Sequence, residues 1–200
     1  MKAINQNQLF PVFLKLDKVK LLIVGAGNVG YEKLFFLLKS SPNANVRVLA
    51  EVVSPEVRQL AHGKPNVEVI KKTFRPSDIK GFDIIIAATN NRSVNVWIRQ
   101  VAKSSGLIVN VADTPDLCDF YLGSIVTKGD LKIAISTNGK SPTFAKRLRQ
   151  LLEEVLPDNI PQILQNLRII RSRLKGDFGN KVDTLERLTA DLVAHPDQKI

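Results

Sequence analysis

Two rhythms of apolar residues alternate through the first half of this chain. Residues 20–24, 67–70, 82–88 and 107–111 are short runs of strand length, and Val46, Val48 and Ala50 mark one more with period two. Between them lie stretches with helical spacing. Leu34, Leu37 and Leu38 line one face of a helix expected over 31–38, and another helix is expected over 93–105. Ser54-Pro55-Glu56 reads as a helix start, with serine as N-cap and proline in the first turn, where a missing N–H costs nothing. The run at 82–88 reads as a strand covered on both faces. Strands alternating with helices need crossover connections, so the expected sheet is parallel and doubly wound.

The rhythm changes after Asp113. Residues 120–127 and 131–136 are both strand-like, and Lys128-Gly129-Asp130 between them suggests an antiparallel hairpin. A hairpin is marginal by itself, so it must be buried against something, and a second subunit is the natural candidate. From Ser141-Pro142 onward the pattern is helical. Phe144, Leu148, Leu151, Leu152 and Val155 form one stripe, and Pro157 interrupts it. Pro161 opens a second helix carrying Ile163, Leu164, Leu167, Ile170 and Leu174 on one face. A break is expected at 176–180, and Val182, Leu185, Leu188 and Leu192 mark a last helix.

Chemistry enters at Gly25-Ala26-Gly27-Asn28-Val29-Gly30, a G-x-G-x-x-G match that follows the first strand and opens the first helix. The first glycine permits the tight turn, the second lets backbone approach a pyrophosphate, and the third lets helix pack on sheet. Asn28 and Val29 add the N–H groups of a helix N-terminus that faces the phosphates. This is the Rossmann-type arrangement, with expected cofactor residues Gly25, Gly27, Asn28, Val29 and Gly30. The ribose-binding acid is out of its usual register. Ala50 stands where it belongs, so Glu51 needs a local shift to reach a 2′-hydroxyl and reads equally as a solvated loop acid. NAD is favoured because no arginine follows Glu51 closely, while NADP stays open. Ala87-Ala88-Thr89-Asn90-Asn91 ends the fourth strand, where ligand crevices lie in such sheets. Thr89 and Asn90 are the expected cofactor contacts there, and Asn90 or Asn91 doubles as a helix cap.

Composition narrows the partner. The 200 residues are 44% hydrophobic and carry a net charge of +10. This suits a globular chain with an anionic partner: nucleic acid, a membrane surface or an acidic small molecule. The single cysteine, Cys118, allows no disulfide framework. His62 and His195 form no metal-ligand spacing, and no metal site is expected. The opening residues to Leu9 lack the apolar stretch of a secretory signal, and no run approaches the roughly 20 residues of a membrane helix. A cytoplasmic protein without membrane association is expected.

Four motifs then occur in order: the glycine loop, Ala-Ala-Thr-Asn-Asn, Asn110-Val111-Ala112-Asp113-Thr114-Pro115, and Ser136-Thr137-Asn138-Gly139-Lys140-Ser141-Pro142. In this set, over about residues 10–156, the chain resembles the precorrin-2 dehydrogenase family, which includes bifunctional members that also insert iron. The resemblance implies NAD-dependent oxidation of precorrin-2 to sirohydrochlorin, chelation of iron in some members, and a homodimer built through the segment after the nucleotide domain. It implies a functional role for Asp113, as base, orienter or metal-approach ligand, which an Asp-x-Pro turn former would otherwise explain. Charge agrees with that substrate: Asn138, Gly139, Lys140 and Ser141 stand at a helix start that is itself an anion site, with Lys146 and Arg149 among the cations that follow, and are expected to meet the polycarboxylated tetrapyrrole. A solvated basic helix face is the plainer account of those cations. Thr137 stands where some members have a second serine.

The expected architecture is therefore α/β: a Rossmann-type doubly wound parallel sheet (1–113), a β-hairpin dimerisation segment (114–141) and a small α-helical domain (142–200). Three other functions compete. A nucleotide-sensing regulatory module would share the glycine loop and need no catalysis. A dehydrogenase of another acidic metabolite would share the whole nucleotide half. A nucleic-acid binder would use Arg168, Arg171, Arg173 and Lys175, but no recognition motif accompanies them, and none is expected to be bound.

Overall fold

The computed structural model describes residues 7–174 and 178–190; Lys175, Gly176, Leu192 and His195 lie outside them. The chain divides into two compact units. The first comprises the residues up to Ser124 together with Ser136–Ala145, and the second comprises Ile125–Ile135 together with the residues from Lys146 onward.

In the first unit, strands β1 (Lys20–Ala26), β2 (Asn45–Val53), β3 (Val67–Lys71), β4 (Ile84–Ala87) and β5 (Ile108–Val111) form one sheet in the order β3-β2-β1-β4-β5. Every neighbouring pair is parallel. Alternate residues of each strand serve opposite faces. Leu21, Ile23, Val46, Val48, Ile84 and Ile86 pack with Leu34, Leu37 and Leu38 of α1 (Asn28–Ser40) and Val57 of α2 (Pro55–Ala61). Leu22, Val24, Leu49, Ile85 and Ala87 pack on the other side with Ile98 and Ala102 of α3 (Arg92–Ser104). The expected doubly wound sheet is therefore present, with β4 buried throughout. Ser54 caps α2 as its sequence suggests, accepting from the Val57 N–H at 3.3 Å.

Two bounds moved. α1 begins at Asn28, so the glycine motif supplies its first turn instead of preceding it. β2 continues to Val53, and its register against β1 slips: Val24 faces Leu49, but Ala26 faces Val53. The slip places Ala50, Glu51 and Val52 opposite the single residue Gly25.

In the second unit, β6 (Ser124–Lys128) and β7 (Leu131–Ile135) pair as the expected hairpin; Ser124 itself is grouped with the first unit. Gly129 turns the chain at φ +59°, and a β-carbon there would meet Pro161 at 2.8 Å. The hairpin turn thus rests on the start of α5 (Ile160–Arg173) within its own chain, and Lys128 reaches Asp158 at 2.5 Å. The hairpin finds cover without a second subunit at this end. α4 (Pro142–Val155) precedes α5, and α6 (Phe178–Thr189) follows. α6 contains Gly179 and Asn180, which were expected in a break. Their weak helix propensity, about 1 kcal/mol for glycine, is outweighed by the half-buried Val182 and Leu185 that follow. Among the described residues no helix is long and apolar enough to cross a membrane.

Candidate dinucleotide and substrate site

The carboxyl ends of β1, β4 and β5 lie side by side at the point where strand order reverses between β1 and β4, the place where open α/β sheets form a crevice. Gly25 leaves β1 at φ +113°, and a β-carbon there would stand 2.2 Å from the Ala88 carbonyl oxygen. A β-carbon on Gly27 would meet nothing within 4 Å. That open space, over a helix N-terminus with no side-chain cap, is a cradle that any side chain would fill. The first helical bond runs from the Tyr31 N–H to the Gly27 carbonyl at 2.8 Å. The N–H groups of Asn28, Val29 and Gly30 precede it and lack intrahelical acceptors. This set fits a dinucleotide pyrophosphate.

Glu51 is exposed on the slipped stretch of β2 beside Gly25. A register shift is thus present in the backbone beside Glu51. Thr89 is placed at the crevice, but its hydroxyl is engaged locally, donating to Asn95 Oδ1 at 2.6 Å and accepting from the Asn91 N–H at 3.2 Å. Asn91 is the cap of α3, accepting from the Val94 N–H at 3.2 Å. Asn90, between them, is exposed. Asn95 escaped notice in the sequence. The only signal was a polar residue on the apolar face of α3, spaced three and seven positions from Ile98 and Ala102.

Asp113 is exposed just past β5, on the edge occupied by Ala88, and the Ala112 N–H bonds the Ala87 carbonyl at 2.9 Å. Its φ is +57°, and Asn138 at +53° is the other non-glycine residue with positive φ among the described residues. Asp and Asn tolerate this region better than other side chains. The Asp113 turn is held from behind by Cys118. Its thiol accepts from the Val111 N–H at 3.2 Å, donates within reach of the Val111 carbonyl at 3.2 Å, and lies 3.4 Å from the Thr114 carbonyl. Burial foremost, with the Asp119 charge adding to it, pushes the Cys118 thiol up, against the Val111 N–H. Arg99 Nε donates to the Leu117 carbonyl at 2.9 Å. Asp119 Oδ2 accepts from the Val109 N–H and from Lys103 Nζ, both at 2.9 Å. Burial alone would raise the Asp119 carboxyl, but the Lys103 and Val109 hydrogen bonds and the Lys103 and Arg99 charges outweigh it and hold it low. A lone cysteine and two common ions gave no sequence signal for this clasp.

The turn of the fourth motif lies in the same unit. Gly139 packs on the Asp113 loop, where a β-carbon would meet Pro115 at 3.9 Å. Ser136 Oγ accepts from the Asn138 N–H and Thr137 Oγ1 from the Ser141 N–H. Ser141 caps α4 by accepting from the Phe144 N–H at 3.2 Å, and Lys140 is exposed before it. Lys146 and Arg149 belong to the second unit, where Arg149 is paired with Glu153 at 2.5 Å. His62 ends α2 on the surface, and among the described residues no three His, Cys, Asp or Glu side chains stand close enough to share a metal ion.

Comparison with known proteins agrees with this geometry. Residues 12–124 match the family described as putative NAD(P)-binding, and residues 128–154 match the one described as sirohaem biosynthesis protein central. The chain belongs to the putative NAD(P)-binding family. It is 36% identical over 165 residues to a siroheme synthase of Methylococcus capsulatus, covering 82% of this chain and 34% of that one. It is also 36% identical over 172 residues to that of Nitrosomonas eutropha, covering 86% and 36%. The chain thus spans about a third of the length of the curated relatives it matches. A solved structure titled SirC, precorrin-2 dehydrogenase, superposes with a TM-score of 0.72 at 26% identity, over 90% of this chain and 89% of that one.

Proposed function

We propose that this chain oxidises precorrin-2 to sirohydrochlorin with NAD, in siroheme biosynthesis. The observation that carries the reading is the shared strand edge in one compact unit. There the Gly27 cradle follows the end of β1 and the Asp113 turn the end of β5, and Gly139 of the Asn138–Gly139 turn lies against Pro115 of the Asp113 loop. The end-to-end likeness to SirC supports the substrate class.

Oxidation removes one hydride and one proton from the macrocycle, giving sirohydrochlorin, NADH and a proton. Bound nicotinamide supplies the hydride acceptor. Gly27 and the N–H groups of Asn28, Val29 and Gly30 hold the pyrophosphate, with Asn90 beside it and Glu51 at the ribose. Asp113 orients the macrocycle and receives the proton. Asn138, Gly139, Lys140 and Ser141 meet peripheral carboxylates through a cation and a helix N-terminus. The +10 charge draws the polyanion toward the protein. A homodimer through the segment 114–141 and a cytoplasmic setting complete the reading.

The test is an anaerobic assay with purified protein, precorrin-2 and NAD, following the sirohydrochlorin spectrum and NADH together. Both are expected to rise in equal amounts. Nucleotide binding without product, with either NAD or NADP, would instead make the chain a nucleotide sensor. Ferrous iron added to the same cuvette tests chelation.

A further inference from the structure

We propose that Asn95 is a positioning residue for the cofactor, acting from α3 through the two peptide groups that flank Thr89 onto the glycine loop. This rests on the dinucleotide reading above and goes beyond it by naming what sets the loop's floor.

Asn95 is 5% exposed, one of two buried polar side chains among the described residues. A buried amide in the first turn of a helix is costly unless every group is bonded, and asparagine adds nothing to helix propensity. Both ends of this amide are spent on one residue. Oδ1 accepts from the Thr89 N–H at 3.1 Å and from its hydroxyl at 2.6 Å, and Nδ2 donates to the Thr89 carbonyl at 3.0 Å. β4 ends at Ala87, so Thr89 has left the strand ladder. Asn95 takes over the role of a neighbouring strand and fixes the Thr89 peptide groups in orientation.

The first of these, the Ala88–Thr89 peptide, is the surface on which Gly25 rests. A β-carbon on Gly25 would lie 2.2 Å from the Ala88 oxygen, 2.5 Å from its carbonyl carbon and 2.8 Å from the Thr89 nitrogen. Backbone touches backbone with no compliant side chain between them. A rotation of the Ala88–Thr89 peptide therefore moves Gly25, and with it the Gly27 cradle and the first turn of α1. The same anchor sets the start of the turn that presents Asn90 and caps α3 with Asn91.

Asn95→Asp is nearly isosteric and separates positioning from packing. At pH 8 the introduced carboxylate still accepts from the Thr89 N–H and hydroxyl but has no proton for the Thr89 carbonyl, and two oxygens are forced together. Burial raises the pKa of such a carboxyl, so acidification restores the donor. NAD affinity of the full chain is measured from pH 5.5 to 8 by calorimetry, for wild type and variant, with near-UV circular dichroism recorded alongside. The expected result is affinity near wild type at pH 5.5 and at least tenfold weaker at pH 8, in a protein that stays folded, while wild type varies little. Equal affinity of wild type and variant at pH 8 would overturn the proposal. So would unfolding of the variant at pH 8, which would assign Asn95 to the core alone. Wild-type protein that binds no NAD would strike the dinucleotide reading itself, a distinguishable failure.

Discussion

A β-carbon on Gly30 would stand 2.1 Å from the carbonyl oxygen of Gly25. The first and last glycines of the motif thus touch backbone to backbone, closing the turn between β1 and α1. Gly27, between them, faces open space. The three glycines therefore differ in kind: two are needed by the fold and one by the ligand.

Gly27→Ala is accordingly expected to fold with a melting temperature near wild type and to lose at least tenfold in NAD affinity, about 1.4 kcal/mol. Gly30→Ala is expected to lose both, because neither backbone can yield. Thermal melts with and without NAD separate the two. A Gly27→Ala variant with unchanged affinity would remove the cradle from the binding site.

Asp113→Asn keeps a residue that tolerates positive φ, so it tests the carboxylate without straining the turn. NADH formation is expected to fall by roughly 10²–10⁴-fold with NAD affinity unchanged. Turnover within a few-fold of wild type would show that Asp113 only shapes the loop. Asp113→Ala is a poorer probe, since a left-handed alanine costs roughly 1–2 kcal/mol by itself.

Asp119 makes stability depend on acid. Its folded pKa is held below the ordinary carboxylate value. Its contribution is therefore present above the unfolded pKa, about 3.9, and is lost as pH falls through the lower folded value. Asp119→Asn is expected to cost about 1 kcal/mol at pH 7, a gap that closes below about pH 4. Urea midpoints across that range check it, and a gap independent of pH would discount the ion pair with Lys103.

Cys118 is held as a half-buried, hydrogen-bonded thiol, with its pKa raised by desolvation. Native protein at pH 8 is expected to react with a thiol reagent at least about tenfold more slowly than the urea-unfolded chain. Cys118→Ala should lower turnover more than NAD affinity, because the thiol braces the Asp113 turn and not the glycine loop. Rapid labelling of the native thiol would mean that this turn opens readily.

By itself the sequence determined the alternation of strand and helix, the parallel sheet, the hairpin and the phosphate loop. Each rests on short-range periodicity or turn chemistry: Ile84–Ala87 must be buried on both faces, and G-x-G-x-x-G at a strand end has few other uses. It also marked Glu51 as out of register. Only the tertiary structure decided that β2 slips against β1 beside Gly25. It alone brought Asn95 onto Thr89, Cys118 onto Val111 and Gly139 onto Pro115, and it tied Arg149 to Glu153. These contacts join residues whose types are common and whose partners lie in separate turns and elements. Nothing in local spacing encodes them, because a side chain's partner is set by how the elements pack.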